Sequence, residues 1–495
     1  MSAAAHDVDR TLTSTNPATG ETVGTLPLAG DEAVREAVAR ARVAGQWWAD
    51  LGFAERRRRL LAWKGSIARR AEELCDLIHR ENGKPRADAM IEVLLTCEHL
   101  DWAARHAKKV LSPSRVPSGL LALHQRAWVD YPPLGVVGVI SPWNFPLFVP
   151  MQALTSALAA GNAVVHKPSE HTSMVASWLA EAFAMTAGEQ PVLQPVFGFA
   201  ETGAALCAAG VDKVAVTGSA ATGRQVMAAC AQTLTPVVAE LGGKDAIIVD
   251  GDADVPRAAR CAVWAAISNA GQTCIGVERA YVVEAAYDEF VAAAARSASR
   301  LRAGDDAEAD LGPMTVPEQV EIVREHLADA FARGAKALVG GPDAVRPPYV
   351  DPVVLVDVPA QARILNEETF GPVLPIERVR DADEAVARTN SAPGNLGVNV
   401  WGRRRAVEIA QRVGSSMAAI NGVMSYVLVP SLPFGGNGES GFGRLQGPDG
   451  LREFTRARAT AQQRFTLPFD MTAFERPDGV LETLAKANRL RHGRR

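Results

Sequence analysis

The chain has 495 residues, 47% of them hydrophobic and 22% charged, and its formal net charge is -4. This composition is typical of a folded globular protein, and the length predicts two or three packed domains. The nearly balanced charge gives no electrostatic reason to bind nucleic acid or an anionic membrane surface. We therefore expect a small-molecule ligand, with neither nucleic acid nor membrane as a partner.

The cysteines are spread along the chain without a C-x-x-C pair and without zinc-type spacing to any histidine. The sequence therefore predicts neither a disulfide framework nor a bound metal. The N-terminal stretch MSAAAHDVDRTLTSTNPATG lacks the apolar core of a signal peptide, which predicts a cytoplasmic protein.

The N-terminal part of the chain predicts amphipathic helices, for example over Asp31–Gln46 and Ala54–Glu81. Four consecutive arginines, 56–59, lie in the second of these helices. A phosphate site is one interpretation of this run, but the LLAW that follows favours a solvated helix face.

A stretch without charged residues runs from Tyr131 to Val165 and is long enough to span a bilayer. Prolines and amide side chains interrupt it, and both are poorly tolerated in lipid. We therefore predict a buried core segment rather than a membrane span.

Short apolar runs alternate with helical stretches from about Leu134 to Gly251; the runs are VVGVIS, AVVHKPS, VAVTGS and DAIIVD. This alternation predicts a parallel sheet in a doubly wound α/β domain, whose ligands bind at the carboxyl ends of the strands. A second α/β set begins after Gly251 and extends to about Gly422. It includes a predicted helix around Glu289–Arg302.

Two segments with polar alternation, HQRAWVDYPP and FTRARATAQQRF, predict exposed strands. Exposed strands leave edges to be covered, so we expect subunit pairing into a homodimer or homotetramer. The C-terminal segment 478–495 predicts a solvated helix or frayed tail, which we favour over a helix that binds a membrane surface.

Two glycine patterns compete for a phosphate-binding role. GNGESG, Gly436–Gly441, fits G-x-G-x-x-G, but no strand precedes it and no helix follows, so we reject it as a dinucleotide fingerprint. VAVTGSAATGRQ predicts a strand, a tight turn at Gly218–Ser219 and a helix that begins at about Thr222. The N-terminus of that helix offers N–H groups to a pyrophosphate.

HKPSE follows another predicted strand, and Lys167 and Glu170 there would suit the ribose of a dinucleotide. A helix N-terminal cap formed by Ser169 with Glu170 explains the same residues equally well.

Two further residues stand out by their surroundings. Glu240 precedes two glycines between apolar runs, where a buried carboxyl group would have a raised pKa that suits a general base. The alternative for Glu240 is a solvent-facing turn. Cys274, in SNAGQTCIG, is either a reactive thiol or a small buried hydrophobic residue.

Seven segments, in this order, resemble motifs of the NAD(P)-dependent aldehyde dehydrogenase superfamily. They are PWNFP (142–146), KPSE (167–170), TGSAATG (217–223), ELGGK (240–244), NAGQTC (269–274), EETFGPVLP (367–375) and PFGGNGESGFGR (433–444). Gly438 and Ala153 stand where many members have a lysine, and both departures look like class 3 members.

The resemblance implies an α/β fold with three parts. These are a Rossmann-type NAD-binding domain (1–106 and 133–246), an α/β catalytic domain that carries the nucleophile (247–445), and a small β oligomerisation element (107–132 and 446–470). Residues 471–495 would form a C-terminal tail.

The resemblance also implies three catalytic residues. Cys274 would attack the aldehyde carbon and form a thiohemiacetal, which becomes a thioester after hydride loss. The side-chain amide of Asn144 and the N–H of Cys274 would bind the oxyanion, and Glu240 would activate the hydrolytic water.

The implied cofactor is NAD, because a carboxylate at Glu170 would repel a 2′-phosphate, although some relatives with this acid accept NADP as well. Lys167 and Glu170 would hold the adenosine ribose, and Glu368 and Phe370 the nicotinamide ribose. The implied cofactor contacts are Ile140, Trp143, Lys167, Glu170, Thr217, Gly218, Ser219, Gly223, Leu241, Glu368 and Phe370.

By the same resemblance, the aldehyde tunnel would be lined by Phe145, Val149, Ser268, Tyr426 and Leu428. None of these is cationic, so we expect aromatic or medium-chain aliphatic aldehydes rather than semialdehydes that carry a carboxylate. The alternatives are a semialdehyde dehydrogenase, including the CoA-acylating type, and a non-enzymatic binding protein on the same fold.

Overall fold

The structure is a computed structural model that describes residues 11–187, 190–392, 394–466, 473–475 and 477–493. The chain forms two compact units, one from residues up to 110 and 133–455, the other from 111–132 and the residues after 455. The N-terminal ten residues, on which the leader prediction partly rests, lie outside the described residues.

The β-strands in chain order are β1 Thr11–Thr15, β2 Thr22–Pro27, β3 Ser114–Val116, β4 Gln125–Asp130, β5 Val136–Ile140, β6 Ala163–Lys167, β7 Leu193–Pro195, β8 Lys213–Thr217, β9 Val237–Glu240, β10 Ala246–Val249, β11 Arg279–Val283, β12 Lys336–Val339, β13 Val345–Arg346, β14 Tyr349–Val350, β15 Val353–Val356, β16 Val373–Val379, β17 Gly397–Trp401, β18 Met417–Ile420, β19 Gly441–Phe442 and β20 Arg458–Gln463.

The α-helices in chain order are α1 Asp31–Asp50, α2 Gly52–Arg69, α3 Ala71–Asn82, α4 Arg86–Leu111, α5 Phe148–Ala160, α6 Ser173–Ala187, α7 Ala200–Ala208, α8 Ala220–Ala231, α9 Val255–Ile267, α10 Glu284–Ala298, α11 Pro317–Ala332, α12 Arg363–Asn366, α13 Ala382–Asn390, α14 Ala406–Arg412, α15 Gly447–Glu453 and α16 Val480–His492. Single 3₁₀ turns that matter for the site are Glu170–Thr172, Ser268–Gly271, Ser425–Leu428 and Gly438–Ser440.

The first sheet of the larger unit has the strand order β19-β9-β8-β5-β6-β7. Its strands from β9 to β7 are parallel, and only the short β19 runs antiparallel at one edge. β5 and β6 are almost wholly buried, as expected of parallel strands covered on both faces. The prediction of a parallel sheet in an α/β domain is confirmed.

The second sheet of this unit has the order β12-β15-β16-β11-β10-β17-β18, with only β12 antiparallel. The prediction that DAIIVD continues the first α/β set is wrong, because β10 lies between β11 and β17 in the second sheet. A run of four apolar residues indicates that a strand is buried, but it does not indicate which strands pair with it.

The uncharged stretch before residue 165 is core, as predicted. Every residue of α5 is buried, and Gly161 ends the helix in the left-handed conformation (φ 108°). No helix among the residues that the structure describes is long and apolar enough to cross a membrane.

Two predictions for the N-terminal helices need correction. The helix expected over Ala54–Glu81 is broken at Arg70 into α2 and α3. The arginine run is not a uniformly solvated face, because Arg56 is buried while residues 57 and 58 are exposed. The Arg56 guanidinium donates to the carbonyl oxygen of Ala49 (2.9 Å), in the last turn of α1.

The smaller unit contains a three-stranded antiparallel sheet with the order β20-β4-β3. The two segments predicted as exposed strands are therefore strands, and they pair directly with each other from Gln125↔Gln463 to Asp130↔Arg458. α16 has no buried residue, in agreement with the predicted solvated helix. The rest of the predicted tail falls partly outside the described residues, at 471–472, 476 and 494–495.

Candidate active site

Four parallel strands of the first sheet end side by side in residues that the sequence singled out. β5 ends at Ile140, β6 at Lys167, β8 at Thr217 and β9 at Glu240. Because these strands run parallel, their last residues share one edge of the sheet, where ligands of such folds bind.

A groove runs along this edge and continues towards Cys274. Its first part is lined by Ile140, Trp143, Lys167, Glu170, Thr217, Gly218 and Ser219 together with the small residues Ala200, Gly203, Ala204 and Ala229. Its second part shares Trp143, Thr217, Gly218 and Ser219 and adds Asn144, Glu240, Leu241, Glu368, Phe370 and Cys274. The groove therefore gathers every predicted cofactor contact except Gly223.

Gly223 serves the groove indirectly. It faces inward on α8, and a Cβ atom built on it would lie 2.6 Å from Cδ2 of Leu241. The missing side chain leaves room for Leu241, which itself lines the groove.

The turn between β8 and α8 is held at both ends. The Gly218 N–H donates to the carbonyl oxygen of Glu240 (3.1 Å), and Ser219 Oγ accepts from the Thr222 N–H (3.1 Å) as the N-cap. α8 begins at Ala220, two residues earlier than predicted. The helix N-terminus, with its positive dipole end, opens beside the groove, which suits a pyrophosphate.

Lys167 and Glu170 meet in the same groove. Lys167 Nζ lies 3.4 Å from Glu170 Oε2, and Ser169 caps the following turn by accepting from the His171 N–H (3.3 Å). Burial is the largest single effect and would raise the pKa of Glu170, but the Lys167 charge, hydrogen bonds to the carboxylate and the nearby His171 together outweigh it, and the pKa is lowered. Ser169 thus takes the capping role, and the Glu170 carboxylate stays ionised beside the lysine.

Glu368 and Phe370 stand where the groove approaches Cys274. The Glu368 carboxylate occupies the space that a side chain at Gly242 would need (2.1 Å from Oε2), and accepts from the Gly243 N–H (3.3 Å). Burial and the nearby Glu278 raise the pKa of Glu368 to about 8. The Phe370 ring stands perpendicular to that of Trp143, with centroids 5.7 Å apart.

A buried ion pair that the sequence analysis missed fixes this segment. Glu278 accepts from Lys244 Nζ (2.5 Å) and from the backbone N–H groups of Thr369 (3.0 Å) and Phe370 (2.8 Å). Phe370 has a positive φ of 50°, which its contact with Glu278 stabilises. The only sequence signal for Glu278 is a charged pair at the start of an otherwise apolar strand.

The loop that carries Cys274 has an unusual backbone. Asn269, Ala270 and Gly271 have φ values of 54°, 53° and 73°, so three consecutive residues are left-handed. Gln272 Nε2 donates to the carbonyl oxygen of Asn269 (3.0 Å), which closes the loop. A Cβ atom at Gly271 would lie 2.1 Å from the Gly371 carbonyl carbon, so only glycine fits there.

Asn144 is tied to this loop. Its side-chain Nδ2 donates to the carbonyl oxygen of Gln272 (3.0 Å), and its own carbonyl oxygen accepts from Asn269 Nδ2 (3.0 Å) and Lys84 Nζ (2.8 Å). Asn144 and Cys274 both line the inner end of the groove. The hydrogen bond to Gln272 therefore fixes the Asn144 amide at the end of the groove that Cys274 also lines.

Lys84, Asp88 and Glu92 form a further group that sequence reasoning missed. Lys84 and Glu92 make a fully buried ion pair, and Glu92 Oε2 accepts from the N–H groups of Leu147 (3.1 Å) and Phe148 (3.0 Å). The Asp88 carboxyl group accepts from the Asn269 N–H. Asp88 and Glu92 lie on one side of the first turns of α4, and Lys84 precedes the helix by two residues. The four-residue spacing of the three charged residues is the signal that would have found them.

Glu240 is buried at the end of β9, so its alternative as a solvent-facing turn is wrong. Neither carboxyl oxygen has a hydrogen-bond partner of ordinary geometry among the described residues. Burial raises the pKa of Glu240 well above its usual value, and only Arg444 and the Gly436 N–H oppose this.

The sulfur of Cys274 is surrounded by acids. Burial raises the pKa of the thiol, and Glu368, Asp245 and Glu240 raise it further, while its own backbone N–H opposes them. The thiol is therefore protonated at neutral pH in the structure as described.

A second, strongly apolar cavity is also lined by Cys274 and is hereafter called the tunnel. Its lining residues are Asp88, Ile91, Leu95, Phe145, Phe148, Val149, Gln152, Trp264, Ser268, Asn269, Thr273, Cys274, Ile275, Val423, Met424, Val427, Leu428 and Phe434. Four of the five predicted pocket residues are among them. The fifth, Tyr426, is buried behind the wall, and a Cβ atom at Gly397 would lie 2.1 Å from its hydroxyl oxygen.

Within the described part of the chain, no group of three or more His, Cys, Asp or Glu side chains is placed to hold a metal ion.

Cys274 thus lies where a groove along the sheet edge meets an apolar cavity, and comparison with known proteins identifies the family of the chain. The model of the aldehyde dehydrogenase family matches residues 4–460. The 4,4'-diapolycopene aldehyde oxidase of Methylomonas sp is 35% identical over 497 residues, which cover 98% of this chain and 93% of that protein.

Two further relatives are similar over most of their length. The succinate-semialdehyde dehydrogenase (NADP(+)) of Escherichia coli is 34% identical, with 89% of this chain and 92% of that protein covered. The crystal structure of an NAD-dependent aldehyde dehydrogenase from Sinorhizobium meliloti has a TM-score of 0.88 and 32% identity, and covers 94% of this chain and 93% of its own.

The chain belongs to the aldehyde dehydrogenase family. It is an oxidoreductase that acts on aldehydes, with NAD or NADP as the cofactor. This confirms the family resemblance and the α/β fold class, and sets aside the alternative of a non-enzymatic binding protein.

Proposed function

We propose that this enzyme uses NAD to oxidise uncharged, apolar aldehydes to carboxylic acids, through a thioester on Cys274. The observation that carries the proposal is that Cys274 lies where the dinucleotide groove meets the apolar tunnel. A sulfur at this junction reaches an aldehyde from one side and a cofactor from the other.

The residues around the sulfur suit each step of this reaction. The Cys274 thiolate adds to the aldehyde carbon, and the carbonyl oxygen becomes an oxyanion that accepts hydrogen bonds from Asn144 Nδ2 and the Cys274 N–H. When bound, the nicotinamide supplies the acceptor for the hydride that leaves this carbon. The thiohemiacetal on Cys274 thereby becomes a thioester.

Glu240 suits the second half of the reaction. Its carboxylate takes a proton from water, the oxygen attacks the thioester carbon, and the carbon–sulfur bond breaks to release the acid. The unpaired oxygens of Glu240, which border the same groove as Cys274, leave it free to hold that water. A CoA-acylating enzyme would have no use for this base.

The groove fits a dinucleotide. Small side chains at Ala200, Gly203 and Ala204 leave space for a flat ring, since a Cβ atom at Gly203 would meet nothing closer than 3.9 Å. Lys167 and Glu170 would bind the ribose hydroxyls, and the ionised Glu170 favours NAD by repelling a 2′-phosphate.

The charge of the tunnel supports an uncharged substrate. Its lining contains no Arg, Lys or His among the described residues, and its single ionisable group besides Cys274 is Asp88. A substrate carboxylate would find no cationic partner and one repelling acid there. The relative from Methylomonas, named for a diapolycopene aldehyde, agrees with this interpretation.

The second candidate is a semialdehyde substrate, because relatives at 34–35% identity are named for succinate or glutarate semialdehyde. For this candidate, a cation would have to reach the tunnel from a residue that does not line it.

Steady-state NADH or NADPH formation with hexanal, benzaldehyde and succinate semialdehyde separates the candidates. We expect kcat/KM to be higher for hexanal and benzaldehyde, to favour NAD, and to be independent of CoA. A clear preference for succinate semialdehyde would overturn the substrate proposal. Glu170→Gln should raise the NADP to NAD ratio of kcat/KM at least tenfold, whereas Glu201→Gln, an exposed acid nearby on α7, should leave it unchanged.

We also propose a function for each domain of the chain. Residues 1–106 and 133–246 would bind the cofactor, 247–445 would carry the nucleophile, and 107–132 with 446–470 would join subunits. The cytoplasmic location stays a prediction.

A further inference from the structure

We infer that the natural substrate is a long-chain apolar aldehyde whose tail extends out of the tunnel and lies on a rim of exposed apolar side chains at its mouth. This inference rests on the proposed function and names the substrate more narrowly. The rim consists of Ile91, Leu94, Trp264, Leu428 and Val429, which are 42%, 60%, 47%, 59% and 41% exposed.

Three rim residues belong to the tunnel and to the surface at once. Ile91, Trp264 and Leu428 line the tunnel although about half of each is exposed, so they mark its mouth. An apolar chain that leaves the tunnel has to pass over these side chains. Because the rim is continuous with the tunnel, we assign the substrate tail as the group that covers it.

The other two rim residues extend the apolar surface outward. Leu94 follows Ile91 by three positions on α4 and therefore lies beside it on the same side of the helix. Val429 follows Leu428 directly at the end of a 3₁₀ turn. His99 Nε2 on α4 lies 2.9 Å from the Val427 carbonyl oxygen, so α4 and this turn are neighbours.

The depth of the tunnel limits how much of a chain it encloses. Its walls, Asp88–Leu95 on α4 and the segment from Trp264 at the end of α9 to Ser268, are one to two helical turns long, about 5–10 Å. An extended chain advances about 1.2 Å per bond, so walls of this length enclose at most about eight carbons. A longer aldehyde projects from the mouth onto the rim.

Isolated exposed apolar residues are common, but five around one opening form a patch, and such patches mark binding sites. A short aldehyde would leave this patch bare, whereas a longer tail would remove both the tail and the rim from water.

The test compares octanal with dodecanal in the wild type and in Leu94→Ser and Val429→Ser, two rim residues outside the tunnel lining. We expect kcat/KM for dodecanal to exceed that for octanal about tenfold in the wild type. This ratio corresponds to about half the transfer free energy that full burial of four additional methylenes would supply. Each rim variant should cut this ratio at least threefold. Met185→Ser, which removes a similarly exposed apolar side chain on α6, is the matched control and should leave it unchanged.

Binding of NAD to each variant, followed by tryptophan fluorescence, verifies that the variants are folded. Equal kcat/KM for octanal and dodecanal, or a rim variant that leaves the ratio unchanged, would overturn the inference while the proposed function stands. No turnover of either aldehyde would instead refute the proposed function.

Discussion

In the proposed reaction the Cys274 thiol has to lose its proton, and the acids around it oppose this loss. Burial and three carboxyl groups, those of Glu368, Asp245 and Glu240, raise the pKa of the thiol, yet only the thiolate attacks an aldehyde. Glu240 has a raised pKa of its own and unpaired oxygens in the same groove. It is thus the acid best suited to accept a proton near neutral pH.

The pH dependence follows from the sign of these shifts. In the proposed mechanism Cys274 and Glu240 both act in their deprotonated forms, and both pKa values are raised, so kcat should increase as the pH rises through the neutral and mildly alkaline range. Glu240→Gln should slow thioester hydrolysis more than acylation and leave a burst of NADH. Stopped-flow measurements across pH test this, and equal slowing of both phases would assign Glu240 to thiol activation instead.

The Asn144 amide should contribute in the transition state. Asn144→Ala removes one donor to the oxyanion, and we expect kcat to fall roughly 10²- to 10³-fold with little change in the affinity for NAD. Asn269→Ala, which also removes an amide of this network, separates loss of the donor from loss of loop order. Near-normal turnover of Asn144→Ala would exclude it as an oxyanion donor.

At the scale of elements, charged residues at the start of α4 bind backbone groups of the segments that form the site. The Lys84–Glu92 pair links the carbonyl oxygen of Asn144 to the N–H groups that open α5, and the Asp88 carboxyl group faces the Asn269 N–H of the loop that carries Cys274. Two segments distant in sequence are thus fixed to one helix. The strained backbone of residues 269–271 needs such support.

Removal of one partner should reveal the value of this pair. Lys84→Met leaves the Glu92 carboxylate buried and uncompensated, and we expect the free energy of unfolding to fall by about 3–5 kcal/mol in urea titrations. Lys64→Met removes a half-exposed pair with Asp101 and should cost about 1 kcal/mol or less. Equal effects of the two substitutions would contradict the role of the buried pair.

The sequence predicted the positions of strands and turns better than it predicted which strands pair and which side chains meet. Apolar runs and the turn at Gly218–Ser219 indicated the strands and the groove because strand ends and tight turns are local features. The assignment of β10 to a sheet failed, because pairing is decided by tertiary packing. Arg56 was misjudged because its partner is a carbonyl group of α1, which leaves no trace in the side-chain pattern.

In the candidate site, residues in recognisable motifs were predicted, whereas residues whose contacts depend on the tertiary fold were missed. Cys274, Glu240 and Asn144 were predicted as catalytic residues because their motifs resemble those of a family, and their roles stay predictions. Lys84 and Glu278 were missed because their role is to hold backbone groups of other segments, which appears only when the fold brings them together.

At the scale of the whole molecule, the smaller unit bears on assembly. Its sheet ends in two strands, β3 and β20, that have no further partner among the described residues, and three leucines at 120, 121 and 123 are at least 60% exposed. Open edges and clustered apolar side chains are features of subunit interfaces.

Sedimentation should therefore find a homodimer or homotetramer. The double variant Leu121→Asp with Leu123→Asp places charges in the expected interface and should shift the distribution to smaller species. Leu481→Asp, on the exposed helix α16, is the control and should not. A monomeric wild type would contradict the assignment of this unit to assembly.

The most direct test of the account is to trap the acyl-enzyme. Glu240→Gln is mixed with hexanal and NAD, quenched in acid and digested, and the peptides are analysed by mass spectrometry. We predict a hexanoyl adduct on the Cys274 peptide, lost in Glu240→Gln with Cys274→Ala and retained in Glu240→Gln with Cys261→Ala. An adduct on another cysteine, or NADH release without any adduct, would contradict a mechanism through Cys274.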